Sequence, residues 1–184
     1  MKFLIILFIT FLINFYSYSS VYASRSSDSY DGNIFPIYAG NGSIVPPQTT
    51  LRESIKNKRI SILFFYLDDN ADSKALAPAI SGLELIWRNT IDIIALTTDE
   101  IQNKLQDDPK EENFYWNGLI PQTVILDKEG NVKYDKNGEI NIDEINKIIS
   151  DLKGIDYDES SFSIESFNEY NSRISKKSSN IKTQ

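Results

Sequence analysis

Residues 61–67, SILFFYL, place the strongest constraint on how this chain folds. The run is apolar at successive positions, so a strand formed here has two faces that both need to be covered. Such strands lie in the middle of a sheet that has helices packed on each side. The run therefore predicts an α/β fold built around a central sheet.

The remaining apolar patterns predict the elements around this strand. Further strands are expected at residues 34–39, 91–96, 123–126 and 132–134, and helices at 51–57, 70–89, 99–105 and 142–152. A turn at 127–130 joins the last two strands as a hairpin. Crossover connections followed by a closing hairpin give a central mixed β-sheet flanked by helices.

The helix at 70–89 has a clear start. Asp69 or Asn70 suits the N-cap position, and Asp72 in the first turn suits the positive end of the helix dipole. Pro78 lies inside the helix and is expected to kink it, because it has no amide hydrogen.

Two residue types are missing from the 184-residue chain, Cys and His. Thiol–disulfide exchange therefore has no reacting group, and the commonest general base and transition-metal ligand is absent. The formal net charge of −7 argues against nucleic-acid binding, which needs a basic face. We accordingly predict no catalytic residue, no cofactor, no metal site and no nucleic-acid partner.

Residues 1–23 have the pattern of an export signal: Lys2, an apolar run, and small residues at Val21 and Ala23. The run is short for a bilayer span, which takes about 20 residues. An uncleaved membrane anchor stays open as the alternative, because tyrosines suited to a membrane interface follow the run. In both cases the body of the protein lies across a membrane from the cytosol.

After this leader we predict a flexible lead-in at 24–32, a domain at 33–153 and a Ser-rich, mostly flexible tail at 154–184. Four apolar tail residues share a helical spacing: Ile164, Phe167, Tyr170 and Ile174. That spacing leaves open an amphipathic segment that docks on a partner.

Two motifs together resemble the thioredoxin family. Residues 74–78, KALAP, match the family's K-x-x-A-P in register, which places Asn70 and Ser73 where the family has its two cysteines. Residues 118–123, GLIPQT, resemble its G-I-P-T segment, in which the Ile–Pro bond is cis. The resemblance covers residues 33–153 and implies a thioredoxin-like fold without redox cysteines.

The chain is also similar to a narrower family, the cyanobacterial thylakoid membrane photosystem I accumulation factors. The likeness is carried by the leader, the stretch SIVPPQTTLRESI and the run FFYLDDNADSKALAP in a cysteine-free chain. It implies a non-catalytic assembly factor at the thylakoid membrane or in the lumen, whose partners are photosystem I subunits or assembly proteins. The periplasm is the alternative location.

The residues expected to face a protein partner form the former active-site surface: Asn70, Ala71, Asp72, Ser73, Tyr115, Trp116, Ile120 and Pro121. The backbone before a cis-proline holds extended peptides in thioredoxin relatives, a form of strand addition. For Asn70 and Ser73 a capped helix start is the simpler interpretation, and for Tyr115 and Trp116 a place in the core stays open.

Two other functions stay open. A generic exported chaperone-like module would bind extended segments of several proteins. An enzyme would use Asp69, Asp72, Ser73 or Tyr115, but the sequence offers no positioned base or nucleophile activator. The D-x-N-x-D pattern that starts at Asp68 imitates a calcium loop but lacks its Gly and its bidentate Glu, so no metal site is predicted.

Overall fold

The structure of the protein is a computed structural model that describes residues 24–101, 107–158, 167, 170 and 171. Within these residues the helices are α1 (Ile34–Tyr38), α2 (Leu51–Lys56), α3 (Ala71–Trp87) and α4 (Ile142–Lys153). The strands are β1 (Ile60–Tyr66), β2 (Ile91–Thr97), β3 (Gln122–Leu126) and β4 (Val132–Asn137). Short 3-10 helices lie at Gly42–Ile44, Arg88–Thr90, Thr98–Glu100 and Glu112–Tyr115.

The strands of the described residues form one mixed sheet in the order β2-β1-β3-β4. β1 runs parallel to β2 and antiparallel to β3, and β3 pairs antiparallel with β4. Helix α3 makes the crossover between β1 and β2, and the β3–β4 hairpin closes the sheet. This is the thioredoxin-like α/β fold that the two motifs predicted, with a central mixed sheet flanked by helices.

Strand β1 is buried along its whole length, which confirms the prediction for residues 61–67. Ile62 and Phe64 on one face pack into the larger core, together with α3 and α4. Leu63 and Phe65 on the other face pack into a second core, which includes Leu51 of α2. Because side chains alternate along a strand, β1 joins both cores and fixes the helices on each side.

The predicted strand at residues 34–39 is wrong, because this stretch forms helix α1. Asn33 caps the helix, and its side-chain oxygen accepts the Phe35 N–H at 3.1 Å. Pro36 lies in the first turn, where its missing amide hydrogen has little cost, whereas in a strand it would remove a ladder donor. The Asp68 carboxylate accepts the Ile34 N–H at 2.9 Å and ties α1 to the end of β1.

The mostly flexible tail predicted at 154–184 does not hold at two positions. Phe167 and Tyr170 are helical and are 3% and 1% exposed in the larger core. The Tyr170 hydroxyl donates to the Ile140 carbonyl at 3.0 Å and accepts the Ile140 N–H at 2.9 Å. The helical spacing is therefore used within the chain at these positions, whereas Ile164 and Ile174 lie outside the described residues.

Residues 1–23, the predicted export signal or anchor, also lie outside the described residues, as do residues 102–105 of the helix predicted at 99–105. In the part of the chain that the structure describes, no helix combines the length and the apolar character needed to cross a bilayer.

Replacing Tyr170 by Phe should lower the free energy of unfolding by about 1–3 kcal/mol, because the buried Ile140 N–H loses its acceptor. Urea unfolding followed by circular dichroism measures this change. Tyr30→Phe is the control: Tyr30 is 74% exposed, so the same substitution there should change stability by no more than about 0.5 kcal/mol. Equal stability of Tyr170→Phe and the wild type would contradict the docking of Tyr170.

Candidate functional site

The start of α3, where redox thioredoxins carry their first cysteine, is a helix cap satisfied by the chain itself. The Asn70 Oδ1 accepts the Ser73 N–H at 2.8 Å and the Ser73 hydroxyl at 2.9 Å. The Ser73 Oγ accepts the Leu67 N–H at 3.4 Å, and the residue is fully buried. Both residues at the cysteine positions therefore bind the chain's own backbone, as expected of a capped helix start.

The next residue, Lys74, carries a buried positive charge. Its side chain is 0% exposed, and its Nζ lies 2.7 Å from Asp31 Oδ2 in an ion pair. The Nζ also donates to three backbone carbonyls of the preceding segment: Ser24, Ser27 and Ser29. The Tyr38 ring covers the ammonium, with its centroid 5.5 Å from Nζ. These partners are needed because an unpaired charge away from water is very costly.

Residues 24–31 therefore form a strap over the start of α3. Asp28 completes it, because its carboxylate accepts the Ala71 N–H at 2.8 Å. An anion at this place is stabilised by the positive end of the helix dipole. In the structure, Lys74 and the helix start contact this segment, whereas the flexibility of a lead-in at 24–32 stays a prediction.

The charges that hold the strap stay fixed near neutral pH. The hydrogen bond from Lys74, followed by that from Tyr38, lowers the pKa of Asp31 from 3.8 to about 2. Loss of water contact, together with the hydrogen bond to Asp31, raises the pKa of Tyr38 to about 12. Asp31 is therefore an anion and Tyr38 a neutral donor over the whole physiological range.

Pro121 lies at the same edge of the sheet as the start of α3. Gln122 pairs with Phe65, so the chain enters β3 beside the end of β1. The Ile120–Pro121 peptide bond is cis, with Ile120 half-buried and Pro121 buried. Leu119, which sequence reasoning missed, is 61% exposed beside them and adds an apolar side chain to this edge. The structure therefore brings the two motifs together.

Within the first turn of α3, the predicted partner-facing residues differ in access. Asp72 is exposed, Asn70 and Ala71 are half-buried, and Ser73 is closed off from solvent. The Ala71 N–H is already bound by the strap. Contact between these residues and a partner stays a prediction, and Asp72 is the most accessible of them.

The Tyr115 carbonyl accepts from Gln122 Nε2 at 2.9 Å, next to Pro121, and an aromatic wall there stays a prediction. The Tyr115 hydroxyl lies 3.3 Å from the Gly130 carbonyl, in the hairpin turn at the opposite end of β3. Tyr115 and Trp116 are half-buried and pack against the second core. Of the two interpretations left open for these aromatic residues, their packing supports a place in the core.

A cleft of about 630 Å³ opens at the carboxyl ends of the parallel strands β1 and β2. This acidic cleft is lined by residues that include Tyr30, Pro46, Tyr66, Asp68 and Asp99. Sequence reasoning missed it because these residues come from separate stretches that only the fold joins. The available signal was the acids that follow both strands, since the carboxyl ends of parallel strands meet at one edge.

The oxygens of the D-x-N-x-D pattern are engaged separately. Asp68 accepts the Ile34 N–H at 2.9 Å, and Asn70 accepts the Ser73 N–H at 2.8 Å. Among residues 24–101, 107–158, 167, 170 and 171, no group of three or more acidic side chains is placed to hold a metal ion.

Replacing Lys74 by Met should release the strap, because Asp31 and the strap carbonyls lose their common donor. Trypsin cleavage after Arg25, followed by mass spectrometry, should become at least about tenfold faster, since proteolysis follows the population of the open segment. Lys147→Met is the control, because its side chain is 60% exposed and pairs only with Asp151 one turn along α4. Equal cleavage rates in both variants and the wild type would contradict the strap.

The ion pair should also give the strap a defined dependence on pH. The pKa of Asp31 is lowered from 3.8 to about 2, so its stabilisation is complete above pH 4 and is lost as the pH falls to 2. The difference in unfolding free energy between the wild type and Asp31→Asn should therefore be constant above pH 5 and shrink below pH 4. Urea unfolding at a series of pH values tests this, and a constant difference down to pH 2 would contradict it.

Comparison with solved structures finds partial likenesses, three of which have TM-scores below 0.5. The thioredoxin lipoprotein Etrx1 of Streptococcus pneumoniae has 13% identity and a TM-score of 0.41, covering 57% of this chain and 90% of its own. The protein PA1234 of Pseudomonas aeruginosa has 17% identity and a TM-score of 0.35, covering 77% and 93%. A DsbH oxidoreductase has 15% identity and a TM-score of 0.31, covering 76% and 97%.

No protein-family model matches the chain. At the level of sequence, the chain is 37% identical over 154 residues to the thylakoid membrane protein slr1796 of Synechocystis sp.. The match covers 83% of this chain and 77% of the relative. With a thioredoxin-like fold and no cysteine, the chain thus belongs to the family of the Synechocystis thylakoid membrane protein slr1796.

Proposed function

We propose that this protein is a non-catalytic factor that binds proteins and supports the accumulation of photosystem I at the thylakoid membrane. The observation that carries the non-catalytic part is the closed start of α3. Asn70, Ser73 and Asp28 satisfy the helix terminus on which a redox thioredoxin places its reactive thiolate. A scaffold closed in this way retains its surfaces for binding.

The groups that an enzyme would need are used for structure. Ser73 is the hydroxyl nearest the former thiol positions, and a nucleophilic serine needs an adjacent base. The neighbouring Lys74 ammonium is paired with Asp31 and directed into the strap, away from Ser73. This arrangement supports a binding role over hydrolysis.

The cellular part of the proposal rests on sequence likeness. The Synechocystis relative is a thylakoid membrane protein. The leader, the stretch SIVPPQTTLRESI and the run FFYLDDNADSKALAP in a cysteine-free chain resemble the photosystem I accumulation factors. We therefore propose a location at the thylakoid membrane or in the lumen, with residues 1–23 as signal or anchor. The proposed partners are photosystem I subunits or proteins that assemble them.

A generic chaperone-like role is the second candidate. Leu119 is 61% exposed beside the cis-proline edge, where an extended apolar segment of almost any sequence could dock. Such a protein would suppress aggregation of several unrelated clients. A photosystem-specific factor would not.

Deleting the gene in a photosynthetic host tests the proposed function. We expect the amount of photosystem I per cell to fall while photosystem II is retained, as measured by immunoblotting and low-temperature fluorescence. Restoring the gene should restore photosystem I. Unchanged amounts of both photosystems in the deletion strain would contradict the proposal.

Variants tested in the deletion strain can also distinguish a binding protein from an enzyme. Ser73→Ala removes the hydroxyl at the second former cysteine position, so the variant should restore photosystem I as well as the wild type does. A serine-dependent enzyme would lose its activity, and photosystem I would stay low despite normal amounts of the variant. Ala71→Ser, two residues before Ser73 in the first turn, serves as the matched control for a small change at the start of α3.

A further inference from the structure

The acidic cleft combines depth, aromatic walls and charge in one place. Its volume of about 630 Å³ lies in the range of natural ligand sites. A smaller pocket of about 160 Å³ adjoins it, shares Tyr30, Asp68 and Asp99, and adds Asp69. Within the described chain, the charged side chains that line the two cavities are all aspartates.

The negative charges of Asp68, Asp69 and Asp99 repel one another. Burial raises the pKa of Asp68, and the negative charges of Asp69 and Asp99 raise it further. The Ile34 N–H, at 2.9 Å from the Asp68 carboxylate, and the positive charge of Lys74 both lower the pKa of Asp68. A cationic group beside Asp68 would relieve this repulsion, because an opposite charge stabilises the ionised form.

The walls of the cleft suit a protein segment. Pro46, Pro47 and Val45 line it, and Tyr30 and Tyr66 add aromatic rings. Aromatic walls are typical of sites that hold extended peptides, because rigid tyrosine rings contact the segment at little entropic cost. The walls reach beyond the carboxylates, so an occupant longer than a single ion is favoured.

We infer that the acidic cleft binds an arginine or lysine side chain presented by an extended segment of a protein partner. The inference rests on the proposed function and deepens it, because it names the class of segment that is recognised. The cationic group lies between Asp68 and Asp99, and the flanking residues of the segment lie against Tyr30 and Pro46. Charge-assisted hydrogen bonds supply the specificity.

The strap explains why recognition takes place here and not at the start of α3. Asp28 and Asn70 already occupy the hydrogen-bonding groups of that helix end. The cleft borders the strap at the ends of β1 and β2, and Tyr30 of the strap, which is 74% exposed, lies at its rim. The acidic cleft is therefore an open surface that borders the closed start of α3.

A peptide titration followed by NMR tests the inference on the purified protein. The probe is acetyl-Pro-Ala-Arg-Ala-Pro-amide, and its matched control carries citrulline, the neutral isostere, in place of arginine. We expect the amide signals of Asp68, Thr97 and Asp99 to shift. The arginine probe should bind at least about tenfold more tightly than the citrulline probe, because charged hydrogen bonds are lost. Equal binding of the two probes would overturn the inference.

Two double variants test which aspartates give the cleft its preference for arginine. Asp68→Asn with Asp99→Asn should abolish the preference for arginine, while an asparagine at 68 still offers an oxygen to the Ile34 N–H. Asp107→Asn with Asp156→Asn removes the same charge from exposed positions elsewhere, and should keep the preference. An equal loss in both double variants would show a general charge effect and overturn the inference.

The same variants separate this inference from the proposed function in cells. The Asp68→Asn, Asp99→Asn chain should fail to restore photosystem I in the deletion strain, and the Asp107→Asn, Asp156→Asn chain should restore it. Full restoration by both, after a clear effect of the deletion, would overturn the cleft and leave the proposed function standing. A deletion without effect on photosystem I, with arginine-selective binding retained in solution, would overturn the proposed function alone.

Discussion

The buried ammonium of Lys74 holds the strap over the start of α3, and the strap closes that helix terminus. A charge with no solvent contact needs several acceptors, and it finds them in the Asp31 carboxylate and the carbonyls of the strap. Once the strap is in place, Asp28 binds the Ala71 N–H and the helix terminus is closed. The start of α3 therefore has no cysteine at the positions of Asn70 and Ser73, and it is also covered by the strap.

With the start of α3 closed, the surfaces left open lie along the neighbouring edge of the sheet. In the thioredoxin-like arrangement the ends of β1 and β2, the start of α3 and the start of β3 meet at one edge of the sheet. With the helix start occupied, that edge still presents Leu119 beside the cis-proline and the acidic cleft on the far side of β1.

Local patterns in the sequence predict most of the helices and strands, but they do not reveal contacts between residues that are far apart along the chain. The central strand and helices α3 and α4 follow from apolar periodicity and from the caps Asn70 and Asn141. Residues 34–39 are apolar enough for a strand, yet Asn33 and Pro36 favour a helix, and Asp68 completes it from 34 positions away. The strap and the docked Tyr170 depend on partners far along the chain, so no short window of sequence reveals them.

Hydrogen exchange at the Ala71 amide tests the central claim most directly. In an open helix terminus the first-turn amides have no intrahelical acceptor and exchange readily. In this structure the Asp28 carboxylate holds the Ala71 N–H at 2.8 Å. Exchange at Ala71 should be slowed in the wild type and become fast in Asp28→Ala, by more than the loss of overall stability accounts for. Fast exchange at Ala71 in the wild type would show that the helix start is open, and would contradict the account.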